Sequence, residues 1–354
     1  MTQEEIYVKL REHLHSLPGG FPTTKEGHEI KILKKLFTPD EAVYAMALRP
    51  KPEDVATIAR RLSIGEPEAS EQIENLARKG LIFRVREGNI KKYMAISYVV
   101  GIFEFQLDKM DREYAALHDT YKPYYGLQWI STRTRQMRTV PVHAAIQSNA
   151  SVEIYDRARD FIKTQKIIGL ADCICRKKND LLGKSCGHPL ETCLTFGDVA
   201  TYYIDYKMAR KITPDEALRV LELGERSGLV ISPTNTVEHA GMCLCCSCGC
   251  GVLSGMKLMP NPADYIDSTY QAGIDALLCD SCGECAGRCQ MGAIARGDAS
   301  YAVNPRRCIG CGLCIATCDK NAVSFHCREG GVKPRGNFYD LLDTISKERG
   351  LAAQ

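Results

Sequence analysis

The sequence predicts an α+β protein of three unlike parts, and three observations carry that reading. The first 172 residues hold no cysteine and read as amphipathic helices followed by one hairpin. Residues 173–250 hold nine cysteines at irregular spacing, set between helical segments. Near the carboxyl end, two runs of four cysteines, 279–289 and 308–318, share one spacing.

Composition bounds the function. Of the 354 residues, 45% are hydrophobic and 25% charged, so the chain can bury a core. Lys plus Arg (46) nearly balances Asp plus Glu (43), too even for a chain built around nucleic acid or an anionic membrane surface. Met1–Glu5 shows no basic start and no apolar run. The longest apolar stretch, Tyr98–Leu107, is short and carries Glu104, so no membrane span is predicted. The expected location is cytoplasmic. There, 18 cysteines in a chain of this length mean metal, redox chemistry or catalysis rather than disulfides.

Taken in order, residues 3–16 and 28–37 space their apolar residues as helices do (Ile6, Leu10, Leu14; Ile30, Leu33, Phe37). Thr38-Pro39-Asp40-Glu41 is a helix start: Thr38 caps, Pro39 takes the first helical position, and Glu41 caps back. Further helices are predicted over 53–62 and 67–79, the second closed by Gly80. Residues 81–97 alternate as a hairpin about Glu87-Gly88-Asn89. This order resembles the winged-helix domain over residues 25–100, and the first unit is drawn at 1–105. The resemblance implies duplex binding through the second helix of the pair, or a docking or dimerisation module on the same fold. That helix carries Glu66, Glu68, Glu71 and Glu74 against Arg78 and Lys79. Such a face repels DNA, so a protein-interaction or homodimer surface is expected and nucleic acid is not. Only the hairpin, with Arg84, Arg86, Lys91 and Lys92, favours it.

Residues 106–165 are read as a connecting segment: a helix over 106–118, an aromatic, turn-rich stretch over 121–129, and an extended run ending at Pro141. Its Arg133, Arg135 and Arg138 form a solvated face or a docking site for an acidic partner. A helix over 151–164 completes the segment.

The two carboxy-terminal runs read Cys279-x2-Cys282-x2-Cys285-x3-Cys289 and Cys308-x2-Cys311-x2-Cys314-x3-Cys318. They share the spacing of the bacterial two-cluster ferredoxin, and the resemblance implies a two-[4Fe–4S] ferredoxin-like domain at 268–330. Three thiolates at intervals of three wrap one side of a cube, and the fourth comes from the other repeat. That assigns Cys279, Cys282, Cys285 and Cys318 to one cluster and Cys308, Cys311, Cys314 and Cys289 to the other. Zinc sites use pairs of cysteines with long gaps, not two even quartets. One departure stands out: the residue after each fourth cysteine is usually Pro, and here it is Gln290 or Asp319.

The middle region, 166–267, is expected to be helical and cysteine-rich. It reads Cys173-Ile174-Cys175-Arg176, then Cys186-Gly187-His188, then Cys193, then a helix begun by Thr213-Pro214-Asp215-Glu216. A knot follows: Cys243, Cys245, Cys246, Cys248 and Cys250. The whole order resembles a group of iron–sulfur proteins of anaerobes that join a winged helix, a Cys-x-Cys-Arg segment, a cysteine-rich knot and a two-cluster ferredoxin. That resemblance implies electron transfer without a settled reaction. All nine cysteines (Cys173, Cys175, Cys186, Cys193, Cys243, Cys245, Cys246, Cys248, Cys250) are candidate metal ligands. They suffice for two further four-iron clusters with one to spare, for one cluster with structural zinc, or for one larger shared cluster; unliganded thiols are the remaining alternative. Adjacent side chains point different ways, so the knot is expected to share thiolates with Cys173, Cys175, Cys186 and Cys193. Arg176 either sits beside a cluster or makes a surface salt bridge, and His188 either ligates or is a turn residue. Cys327 stands alone, and 331–354 is a tail.

No dinucleotide fingerprint, Walker loop or catalytic triad is present, and no catalytic residue is assigned. The expected function is an iron–sulfur electron-transfer protein relaying electrons between redox partners in anaerobic metabolism, with at least two [4Fe–4S] clusters. Two alternatives are an oxidoreductase subunit with a substrate-binding cluster, and a redox-sensing regulator.

Overall fold

A computed structural model describes residues 1–148 and 152–351. Its amino-terminal part is five helices and a hairpin: α1 (Gln3–His15), α2 (His28–Leu36), α3 (Pro39–Met46), α4 (Val55–Leu62), α5 (Glu66–Lys79), β1 (Phe83–Glu87) and β2 (Ile90–Met94). The helix starts follow from local chemistry. Thr38 accepts from the Glu41 amide while the Glu41 side chain bonds back to the Thr38 amide, and Thr2 with Glu5 does the same for α1. Helix α5 ends at Gly80, at φ +75°, where a Cβ would sit 2.6 Å from the Phe105 carbonyl oxygen.

The four basic side chains of the hairpin are engaged within the chain. Arg84 is buried against Asp205 and lies over the Tyr206 ring. Arg86 meets Asp205 at 3.0 Å, Lys91 meets Glu74 at 3.0 Å, and Lys92 meets Glu87 at 2.7 Å. The end of α5 is also covered: the Tyr202 hydroxyl donates to the carbonyls of Ala77 (2.7 Å) and Ile82 (2.9 Å).

The connecting segment departs from its sequence reading. Helix α6 runs unbroken from Arg112 to Ile130, capped by Asp111 and with Pro123 inside it. The expected helix over 106–118 therefore starts later, and the stretch over 121–129 is helical, not turn-rich. The aromatic residues were the helical stripe: Tyr114, His118, Tyr121, Tyr125 and Trp129 recur at helical spacing and are all buried. Arg135 and Arg138 are buried too, which removes them from any solvated docking face. The extended run around them bridges to Thr234, Ile231 and Asp267. Beyond it lie α7 (His143–Ser148), a single turn at Ile154–Asp156 and α8 (Ala158–Thr164). The helix read over 151–164 is thus shorter, and its first residue, Ser151, lies outside the described residues.

The middle region is a sheet before it is helical, which corrects the expectation. Strands β3 (Ile168–Asp172), β4 (Glu191–Phe196), β5 (Arg210–Ile212), β6 (Val230–Pro233) and β7 (Gly241–Cys245) form one antiparallel sheet in the order β5-β3-β4-β7-β6. Between them run α9 (Ile174–Leu181), α10 (Gly197–Asp205) and α11 (Pro214–Arg226), and α12 (Gly251–Lys257) follows. Strands β3 and β6 are buried along nearly all of their length, so they show no alternation to read. An apolar core of Ile168, Leu170, Leu194, Val220, Leu221, Val230, Ile231 and Leu244 backs the sheet.

In the carboxy-terminal part, β8 (Tyr270–Ile274) pairs with β11 (Val323–Cys327), and β9 (Ile294–Arg296) with β10 (Tyr301–Val303), around the short helix α13 (Glu284–Arg288). The tail forms α14 (Phe338–Glu348) and returns to the first part. Glu348 accepts from the Thr134 amide (2.8 Å) and hydroxyl (2.6 Å), and Arg349 donates to the His15 carbonyl at 2.9 Å. The fold is mixed α and β with small sheets. No helix among the described residues is long and apolar enough to cross a membrane.

Candidate metal centres

The two cysteine repeats form two hollows. Cys279, Cys282, Cys285 and Cys318 line one, with Gly283, Tyr301, Lys320 and Val323. Cys289, Cys308, Cys311 and Cys314 line the other, with Ala272, Met291, Ile294 and Leu313. Each hollow takes three cysteines from one repeat and one from the other.

The local backbone fits these hollows to a cluster. The Ala293 amide donates to the Cys289 sulfur at 3.2 Å and the Ala322 amide to the Cys318 sulfur at 3.3 Å, the same contact four residues after each crossing cysteine. The Ala272 amide donates to the Cys308 sulfur at 3.5 Å. Amide-to-sulfur bonds of this kind stabilise thiolate and tune a cluster's potential. Gly312 sits at φ +72°, and a Cβ there would lie 2.4 Å from that of Ala145, so only glycine lets the loop close on α7. Burial pushes the Cys311 thiol up to about 12 and the Cys314 thiol higher still. A lone thiolate is disfavoured in such an apolar hollow, and a cationic centre removes that penalty.

The nine middle cysteines fall into two groups. Six lie along a line of neighbouring thiols: Cys173 beside Cys175, Cys175 beside Cys250, Cys250 beside Cys245, Cys245 beside Cys243, and Cys243 beside Cys193. Four elements supply them. Cys173 caps α9 and Cys175 lies in its first turn; Cys250 caps α12; Cys193 and Cys243 are directly paired across β4 and β7. Cys243 and Cys245 share a face of β7, as the two-residue period requires. Hydrogen bonds from the Cys173 and Cys250 thiols hold Cys175 well below the usual thiol range.

Cys186, Cys246 and Cys248 form the second group, their sulfurs all within 4.8 Å of one another. Adjacent Cys245 and Cys246 thus serve different groups. Arg176 is buried here rather than paired at the surface: it donates to the carbonyls of Pro189 (2.7 Å) and Leu244 (2.7 Å) and to the Thr192 hydroxyl (2.6 Å). Its guanidinium stands 3.7 Å from the Cys246 sulfur. Burial opposes ionisation of Cys246, but the Cys248 thiol and Arg176 outweigh it and hold that thiol below its usual range. His188 is half-buried and outside the group; burial, and then the Arg176 charge, lower its pKa from the usual histidine value. Cys327 is exposed at the end of β11.

Two functional contributions were not read from the sequence. Gly249 lets the second group close: a Cβ there would lie 3.1 Å from the Cys246 sulfur and 3.5 Å from that of Cys186. Gln290, noticed only as the residue in place of Pro, ties the regions together. Its side chain accepts from the Ser247 amide at 2.8 Å and donates to the Gly228 carbonyl at 2.8 Å. Ser247 lies between Cys246 and Cys248, and Gln290 follows Cys289, so one side chain joins two sets of thiols. The departure from Pro was the available signal.

Residues 301–324, which include Cys308, Cys311, Cys314 and Cys318, match the family described as "4Fe-4S binding domain". No curated protein and no solved structure matches the chain. The family match and the thiol-lined hollows together make this an iron–sulfur protein carrying a 4Fe-4S binding domain of ferredoxin type.

Proposed function

We propose that the chain is an electron-transfer protein. In this reading Cys279, Cys282, Cys285 and Cys318 hold one [4Fe–4S] cluster, Cys308, Cys311, Cys314 and Cys289 hold a second, and the line of six thiols in the middle region holds a further iron–sulfur centre. The observation that carries the reading is the crossed composition of the two hollows. Crossing puts the two quartets within one small domain, and the bound clusters supply the one-electron chemistry. The chain's residues desolvate the thiolates, direct amides at their sulfurs and fix their spacing. Exposed Cys282, with exposed Leu277 nearby, supports approach of a redox partner at the first hollow.

We read the setting as cytoplasmic and anaerobic on the strength of the cysteine content and the resemblance stated above. The amino-terminal part is read as a winged helix serving protein contacts. Internal pairing of all four hairpin cations supports that over duplex binding.

The test is the Cys289→Ala variant, purified without oxygen. The paramagnetic signal of the cluster assigned to Cys308, Cys311 and Cys314 should be lost or altered, with that of the Cys279 set retained. Loss of the Cys279 signal instead would contradict the crossing. Wild-type protein should carry about 12 iron if the six-thiol line holds one four-iron cluster, and about 8 if it holds none.

A further inference from the structure

Cys186, Cys246 and Cys248 have a geometry that the rest of the cysteines lack. Among the described residues they are the one group of three or more Cys, His, Asp or Glu donors that all lie within 4.8 Å of one another. Neither ferredoxin quartet is so crowded. A four-iron cube holds its thiolates at separate corners, whereas a single ion draws them onto one centre. A tetrahedral zinc–thiolate site with bonds of about 2.3 Å has sulfur–sulfur edges of about 3.8 Å. The Cys186 and Cys246 sulfurs are 3.9 Å apart.

We propose that these three thiols bind a single zinc ion whose fourth position is left open to an external ligand. The inference is independent of the electron-transfer reading, because it assigns no iron to these residues.

Charge supports it. Three thiolates on a dication leave one negative charge. Arg176, buried and 3.7 Å from the Cys246 sulfur, supplies the compensating positive charge. Close approach supports it as well, since Gly249 leaves the space beside Cys246 and Cys186 that a Cβ would fill. Among the described residues no fourth Cys, His, Asp or Glu donor joins the group: His188 is outside it, and the six remaining middle thiols belong to the other line. Cys248 is exposed, so an external ligand can reach this group. Three protein ligands and an exchangeable position distinguish reactive zinc sites from closed structural ones. In a thiolate-rich set the ion accepts soft donors, and a small thiol is the simplest ligand of that class.

The experiment uses the full chain purified without oxygen or added zinc. Metal analysis should find about one zinc per chain beside the iron. Zinc X-ray absorption should show three sulfurs and one lighter atom, changing to four sulfurs when 2-mercaptoethanol is added. Cys248→Ser should lose most of the zinc while its iron content stays at the wild-type value. Absence of zinc, a drop in iron in Cys248→Ser, or four sulfurs in the untreated protein would each overturn the proposal. The wild-type measurements decide it even where the variant does not fold.

Discussion

The two cysteine-bearing regions are held together by different forces. In the ferredoxin-type part, Cys285, Cys308 and Cys314 belong to the local core, with only Ala272, Ala293, Ile294 and Val323 as its other buried members. The loops between residues 279 and 318 add only Met291, Ile309 and Leu313 to the larger core, which is little apolar surface, so in the proposed reading bound clusters supply much of their order. In the middle region the thiols sit on a five-stranded sheet whose core is mostly Val, Ile and Leu, with Cys245 and Cys246 as its only buried thiols. Under the proposed function, metal orders the first region and binds to a largely apolar fold in the second.

The largest effect that could break this contrast is metal removal. Stripping iron and zinc with chelators in the absence of oxygen should release amide-exchange protection throughout residues 279–318. Strands β3, β4 and β7 should keep most of theirs. Equal loss in both regions would mean that the middle sheet also depends on bound metal.

A second test concerns what holds the regions in place. Arg138 and Asp156 form an ion pair at 2.9 Å with both side chains fully buried. Arg138 also donates to the Thr269 hydroxyl at 2.8 Å, joining the connecting segment to the start of the ferredoxin-type part. Arg138→Ala leaves the buried Asp156 carboxylate without its cation, with only Thr269 and Tyr270 to bond it, and should destabilise the chain by about 3–5 kcal/mol in denaturant unfolding. Replacing both partners, as in Arg138→Met with Asp156→Leu, should recover much of that loss. Failure of the double variant to recover would assign the cost to the Thr269 contact instead.

The sequence made the ferredoxin-type part legible because its ligands recur at short, even intervals, with only one long-range step, the crossing of Cys289 and Cys318. The capping motifs at Thr38 and Thr213 were equally local and predict α3 and α11. The middle sheet was hidden because its strands are short, partly buried on both faces, and out of sequence order. Alternation says that Cys245 and Cys246 point different ways, but no spacing rule names the thiols that each one joins, since those come from distant segments. Helix α6 was obscured by Pro123 and by aromatic residues that looked like turn material until packing showed them to be one buried stripe.

The smallest effect concerns the link between the regions. Cys289 has φ −73° and ψ 108°, a conformation that suits a residue before proline. Gln290→Pro should therefore be tolerated by the backbone, and it restores the residue usual after the fourth cysteine. It removes both side-chain bonds, to Ser247 and to Gly228. The half-buried Ser247 amide then lacks its partner, at a cost of about 1 kcal/mol. That amide should exchange about five-fold faster, the ratio that such a free energy sets. The paramagnetic signals of the clusters proposed for the two hollows should persist, because the sulfur contact of Cys289 comes from the Ala293 amide and is untouched. Loss of the cluster assigned to Cys289 in Gln290→Pro would instead make Gln290 part of that centre's support. The two regions would then be one metal-dependent unit, and the contrast between them would fail.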